Sequence, residues 1–113
     1  MGVADTMFSP GLRDATLRAQ MLASCGLPED AMLLLGVGRF AAEKRWPMVI
    51  DAVRKASRHR AVGLILIGEG PDKRLIERHS GGDPHIRIQP AERDRLALAR
   101  LLASGDALVH GCE

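Results

Sequence analysis

AMLLLGVG, spanning Ala31–Gly38, is a continuous apolar run that is closed by glycine. Such a run is typical of a β-strand that is buried on both faces, as the strands of parallel sheets are. The pattern returns in VGLILIG, spanning Val62–Gly68. Between the two runs, apolar residues recur over Trp46–His59 at the spacing of one helix face. This order of strand, helix and strand predicts a βαβ unit with parallel strands.

The same alternation continues along the rest of the chain. Pro71–His79 and Glu92–Ser104 have the spacing and the end residues of helices, and Ile86–Ile88 and Ala107–His110 are short apolar strands. Three strand–helix pairs closed by a fourth strand predict a Rossmann-like α/β fold, a parallel sheet with flanking helices and right-handed crossovers. Such sheets bind ligands outside the carboxyl ends of their strands, so we expect a site in the loops that follow the strands, which include Gln89–Arg93.

Composition narrows the class of protein. The 113 residues carry 16 Lys and Arg against 14 Asp and Glu, a net charge of +2, and this length fits one domain. The charges are scattered and only three residues are aromatic, which argues against a nucleic-acid surface. Cys25 and Cys112 have neither metal-ligand nor disulfide spacing. With no signal peptide and no apolar stretch of membrane length, the chain is predicted to be cytoplasmic and not transmembrane.

The loop after the first strand carries two cations, Arg39 and Lys44, beside the glycines Gly36 and Gly38 and ahead of a helix. Glycine lets backbone N–H groups approach an anion, the helix dipole favours negative charge, and Arg can fork onto phosphate oxygens. These features predict a diphosphate site. The same cations would equally suit a surface loop in which they are solvated or pair with Glu43.

The loop after the second strand, Gly68-Glu69-Gly70-Pro71, is a tight turn into a helix. Its glycines would let a nucleotide base or ribose come near, but a Gly-Pro turn needs no ligand to explain it. An NAD site is disfavoured because the Gly-x-Gly-x-x-Ala match at Gly36–Ala41 does not open the helix directly. A P-loop is excluded because Gly-Lys-Ser/Thr is absent from the chain.

Three stretches follow one another along the chain: Leu34–Lys44, Leu66–Pro71 and Leu101–Ala107. In this order they resemble the carboxy-terminal half of the family-four retaining glycosyltransferases, which have the GT-B fold. The start of the chain, Gly2–Thr6 with Phe8–Pro10, is similar to the segment that leads those enzymes from their first domain into their second. The resemblance implies that residues 1–30 are a lead-in from a missing amino-terminal domain and that residues 31–113 are a donor-binding domain that is incomplete at its carboxyl end.

The resemblance also implies roles for single residues. Arg39 and Lys44 would bind the donor diphosphate and stabilise the leaving group as the glycosidic bond breaks. Glu113 falls at or just before the first of two glutamates that contact the donor in that family. His110-Gly111 stands where the family commonly has Pro-Ser, but the position of His110 at the end of the fourth strand would let it reach a sugar or phosphate; a histidine at a strand end has a structural role about as often. Arg45 departs from the family, which often has Gly there. The other predicted donor-binding residues are Gly36, Gly38, Gly68, Glu69 and Gly70.

The parent enzyme implied by the resemblance transfers a hexose from a nucleotide-diphosphate sugar to a sugar, lipid or other small acceptor held mainly by the missing domain. No separate cofactor is expected, and the lack of an Asp-x-Asp motif predicts that no metal is needed. We expect the chain alone to be inactive, the parent to lie in the cytoplasm or at the inner membrane face, and exposed apolar surface to favour a homodimer. A non-catalytic module that binds a nucleotide or phospho-ligand is the alternative.

Overall fold

The four predicted strands form one parallel sheet in a computed structural model, which describes residues 13–109. The strands lie in the order β3-β2-β1-β4, as in a Rossmann-like fold. β1 pairs with β2 along its whole length, from Met32 opposite Val62 to Val37 opposite Ile67. The elements are α1 (Ala15–Ser24), β1 (Met32–Val37), a 3₁₀ turn (Ala42–Lys44), α2 (Trp46–Ala56), β2 (Val62–Ile67), α3 (Lys73–Ser80), β3 (Ile86–Gln89), α4 (Arg95–Ser104) and β4 (Ala107–Leu108).

The sheet is covered on both faces by helices. α2 packs with α3 on one face and α1 packs with α4 on the other. Alternate residues of each strand serve the two cores, so that in β2 Leu64 points to the α2 side and Ile65 to the α1 side. β2 is buried along its whole length, and its sequence is therefore an unbroken apolar run. This is why the sequence pattern predicted the strand well. The predicted α/β fold is therefore confirmed.

Helix α1 was not predicted from the sequence. It lies inside the stretch assigned as a lead-in, yet Met21, Leu22 and Cys25 from this region are buried in the core beside α4. Asp14 caps its first turn by accepting a hydrogen bond from the N–H of Leu17 at 2.9 Å. Residues of this stretch thus share one core with residues of β1, β2 and α4.

Two predicted helices begin later than their sequence patterns suggested. α4 starts at Arg95 instead of Glu92, because the carboxylate of Asp94 accepts hydrogen bonds from the N–H groups of Leu96 and Ala97 and so fixes the helix start. α3 starts at Lys73, two residues after Pro71. None of the helices that the structure describes is long and apolar enough to span a membrane.

An ion cluster joins α1 to the start of β4 at the amino end of the sheet. The carboxylate of Asp106 accepts a hydrogen bond from the N–H of Leu33 at 2.7 Å and forms ion pairs with Arg18 at 3.0 Å and Arg13 at 3.4 Å. Partial burial alone would raise the pKa of Asp106, but the hydrogen bond from Leu33 and the two arginines together lower it. Asp106 therefore fastens three elements in its charged form.

An apolar groove of about 410 Å³ runs between α2 and β4. Leu34 and Val109 line its floor, and Met48, which is 50% exposed, stands at its side. This groove is apolar surface of the kind that the predicted homodimer would cover. The homodimer itself stays a prediction.

Candidate functional site

The loops after β1, β2 and β3 meet at the carboxyl edge of the sheet and enclose a cleft of about 290 Å³. Arg39 comes from the first loop, Glu69 from the second, and Glu92 and Arg93 from the third. Leu98 of α4 closes the apolar side of the cleft. The cleft thus lies where a parallel α/β sheet is expected to bind its ligand.

Main-chain hydrogen bonds join the first loop to the second. Beyond the last paired residues of the strands, the N–H of Gly38 donates to the carbonyl of Ile67 at 3.1 Å and the N–H of Phe40 donates to the carbonyl of Glu69 at 2.9 Å. The carbonyl of Phe40 in turn accepts from the N–H of Asp72 at 2.8 Å. The two loops therefore extend the sheet pairing by several residues and form one wall of the cleft.

The glycines of the second loop make this close approach possible. A Cβ atom on Gly68 would lie 1.9 Å from the carbonyl oxygen of Gly38, and one on Gly70 would lie 2.5 Å from the carbonyl oxygen of Phe40. Any side chain at either position would collide with the main chain of the first loop, so the two loops would have to separate. The contact between the loops thus accounts for both glycines, with or without a bound nucleotide.

Trp46 fills the space under the first loop. A Cβ atom on Gly36 would lie 2.9 Å from the Trp46 ring, and the ring also contacts Gly38. The ring packs edge-on against the ring of Phe40, with 6.3 Å between the two ring centroids. Its indole N–H donates to the carbonyl of Arg39 at 2.9 Å. Trp46 therefore fixes the main chain of Arg39, while the side chain of Arg39 remains exposed to solvent.

The two predicted cations differ in their placement. Arg39 lines the cleft, whereas Lys44 ends the 3₁₀ turn, is half-buried and is not among the cleft-lining residues. None of the ion pairs formed between described residues involves either side chain. The alternative in which these cations pair with Glu43 therefore has no support in residues 13–109.

Arg45 links the 3₁₀ turn to α2 through a left-handed backbone with φ of 52°. It is the one non-glycine residue with positive φ among residues 13–109. Left-handed backbone disfavours residues that carry a Cβ atom, by about 1 kcal/mol or more. Glycine would adopt this backbone without that cost.

An ion pair crosses the cleft from the second loop to the third. Nη2 of Arg93 lies 3.4 Å from Oε1 of Glu69, and both side chains are well exposed. Glu92 is engaged locally, because its carboxylate accepts a hydrogen bond from the N–H of Asp94 at 3.1 Å. The cleft lining thus holds two cations and two carboxylates. No three metal-ligating side chains are grouped together within the described part of the chain.

The predicted site residues fall into three groups. Gly38, Arg39, Gly68 and Glu69 line the cleft together. Gly36, Gly70 and Lys44 lie behind or beside it, and His110 and Glu113 lie outside the described residues. Sequence reasoning pointed to the loop that contains Arg93 but not to Arg93 itself, because a single arginine in a loop carries no sign of its ion-pair partner.

No protein-family model matches the chain, and no curated protein matches it closely enough to indicate a relative. A function is therefore inferred from the cleft and from the motifs that form it.

Proposed function

We propose that this domain binds the nucleotide-diphosphate sugar donor of a retaining glycosyltransferase. The observation that carries the proposal is the state of Arg39, whose main chain is fixed by the indole of Trp46 while its guanidinium is exposed at the cleft without an ion pair to any described residue. A residue with a fixed main chain and an unpaired guanidinium suits the recognition of phosphate oxygens. The reaction that we propose is that of the family-four glycosyltransferases, because the motifs of this chain resemble theirs and follow in the same order.

In that reaction the bond between the anomeric carbon of the sugar and the diphosphate oxygen breaks, and negative charge grows on the departing nucleotide diphosphate. Arg39 would meet this charge at the cleft, and Lys44 would add a second cation from the 3₁₀ turn beside it. Cations that are already in position when charge develops stabilise the transition state more than the ground state. The acceptor, bound mainly by a further domain, would receive the sugar with retention of configuration. The parent is proposed to act in the cytoplasm without a metal.

Calorimetric titration with UDP, GDP and ADP, each with and without Mg²⁺, tests the proposal on the chain as it stands. We expect one nucleotide to bind without the metal. The double variant Arg39→Gln/Lys44→Gln should weaken that binding by about 100-fold or more, because it removes two charge-assisted contacts. A nucleotide sugar should bind to the same site and compete with the nucleotide.

The matched control is Arg58→Gln/Arg60→Gln, which removes two exposed cations between the end of α2 and the start of β2, at the edge of the sheet opposite the cleft. It changes the net charge by the same amount and should leave the dissociation constant within about two-fold, since exposed charges at a distance are screened by salt. If both double variants lose affinity equally, the nucleotide binds by general charge attraction and the proposal is refuted. Binding of inorganic phosphate as tightly as any nucleotide would favour the non-catalytic module.

A further inference from the structure

The ion pair between Glu69 and Arg93 lies at the mouth of the proposed donor site. Glu69 follows β2 and Arg93 follows β3, and these strands are neighbours in the sheet, with Ile67 paired to Gln89. Both side chains line the same cleft as Arg39. The pair thus joins two of the three loops that line the cleft.

The charge balance of the cleft argues that this pair changes when an anion binds. Arg39 and Arg93 are opposed there by Glu69 and Glu92, so the lining as it stands has no net charge. A diphosphate brings at least two negative charges and would approach the carboxylate of Glu69. Like charges at short range oppose binding, whereas a cation released from its partner would favour it.

The two partners differ in their freedom to move. The carbonyl of Glu69 accepts a hydrogen bond from the N–H of Phe40, and the main chain of Glu69 is therefore fixed to the first loop. The side chain of Arg93 is 81% exposed and reaches Glu69 at 3.4 Å with a single nitrogen. An exposed single contact of this kind changes an equilibrium constant by about five-fold at most. A bidentate contact of arginine with phosphate is stronger.

We propose that Arg93 is a third diphosphate ligand, which Glu69 holds while the cleft is free of anion. Binding exchanges the Arg93–Glu69 ion pair for an Arg93–phosphate contact, and Glu69 therefore lowers the affinity of the site. This inference rests on the proposed function, because it assumes that a diphosphate is the ligand.

The test uses inorganic pyrophosphate as the probe, since it carries the diphosphate without a base or sugar. Its dissociation constant is measured by calorimetry for the unmodified chain, Glu69→Gln, Arg93→Gln and the double variant. We expect Glu69→Gln to tighten binding about 3- to 10-fold and Arg93→Gln to weaken it about 10-fold. In the Glu69→Gln background, Arg93→Gln should weaken binding more strongly, by about 30-fold, because no ion pair competes there for Arg93.

That last comparison separates a ligand from a neutralising partner. If Arg93 merely offsets the charge of Glu69, then Arg93→Gln has no effect once Glu69 is neutral, and the inference is overturned. It is equally overturned if Glu69→Gln leaves the affinity unchanged. Arg95→Gln and Glu29→Gln serve as controls of the same charge change, because both side chains are exposed and neither lines the cleft.

The variant Arg39→Gln/Lys44→Gln is titrated in the same series. If pyrophosphate binding is lost in this variant but is unchanged by Glu69→Gln and Arg93→Gln, the proposed function stands and only the inference is refuted. Binding that is indifferent to Arg39 and Lys44 refutes both. If pyrophosphate binds to no variant although circular dichroism shows that each variant is folded, the inference is refuted, and the titration with UDP, GDP and ADP decides the proposed function.

Discussion

The two ends of the sheet use charge in opposite ways. At the amino end, Asp106 is surrounded by two arginines and a main-chain N–H, and Arg18 also donates to the carbonyls of Ala31 and Ser104. At the carboxyl edge, Arg39 has no ion-pair partner among residues 13–109, and the one ion pair is exposed. What holds the loops together there is the main chain, through hydrogen bonds and glycine contacts.

This difference separates charges that stabilise the fold from charges that remain available to a ligand. A cation whose donors are all used by the protein has nothing left for an anion, and removing it leaves buried acceptors unsatisfied. A cation whose donors face water costs the fold little to lose. The position of a charge in the chain does not reveal which kind it is, but its partners do.

We expect the largest loss of stability when the main-chain contact between the loops at the carboxyl edge is disrupted. Gly68→Ala places a methyl group where only 1.9 Å separates the Cβ position from the carbonyl oxygen of Gly38, so the loops must part. We expect a loss of about 3 kcal/mol or more in the free energy of unfolding, measured by urea denaturation. Gly26→Ala, which has a left-handed backbone but open space around it, is the control and should cost about 1 kcal/mol. Equal losses would show that the contact between the loops is not what holds this edge.

Asp106→Asn tests the amino end. It keeps an acceptor for the N–H of Leu33 but removes the charge that Arg13 and Arg18 share, and we expect a loss of about 1–2 kcal/mol at neutral pH. Since the pKa of Asp106 is lowered in the folded chain, its stabilising effect is complete above the pKa of an unfolded aspartate, about 3.9. That effect is lost as the pH falls through the lower folded value.

Urea titrations of both proteins from pH 7 to pH 2.5 would show this. The stability gap between the unmodified chain and Asp106→Asn should be constant above about pH 5 and close below about pH 4. Asp51→Asn is the control, because the carboxylate of Asp51 is also hydrogen-bonded to a side chain, at 2.8 Å from Nε2 of His79, but is 56% exposed. It should change stability by less than about 0.5 kcal/mol. A gap that stays open at low pH would mean that the loss comes from the hydrogen bonding of the new amide and not from the missing charge.

The smallest effect is expected where the charges are free. Arg39→Gln/Lys44→Gln should leave the free energy of unfolding within about 0.5 kcal/mol of the unmodified chain. Arg18→Gln should lose about 2 kcal/mol, since the side chain of Arg18 is only 17% exposed and bonds two carbonyls besides Asp106. Thermal denaturation of the three proteins decides the matter. If the two changes destabilise equally, the contrast between the ends of the sheet is wrong.

The sequence predicts the sheet well and the helix ends poorly. β2 is buried along its whole length, and β1 is buried at three of its six positions and half-buried at the other three. A short apolar run that is bounded by glycine favours a buried strand over a helix. α1 escaped notice because its apolar residues form no clean stripe, although Asp14 and Gly26 mark its ends. Caps such as Asp94 depend on a side-chain rotamer, which periodicity does not encode.

The site was predictable in its loops but not in its contacts. Arg39 follows a strand, and the topology alone brings it to the carboxyl edge with Gly68 and Glu69. The ion pair between Glu69 and Arg93 joins residues 24 positions apart, and no pattern in the chain pairs them. Nor does sequence show that Gly68 and Gly70 adjoin the first loop. Those features arise only when three loops are folded against one another.

Trp46 is the single tryptophan of the chain, and its ring is 1% exposed beneath the first loop, with its N–H bonded to the carbonyl of Arg39. Indole fluorescence responds to the polarity and hydrogen bonding of its surroundings, so a shift of this loop would alter the emission. The molecule thus carries an intrinsic optical reporter that is bonded to the residue proposed to touch the ligand. Ligand binding and unfolding can therefore be followed in one cuvette, without a label, from the same ring.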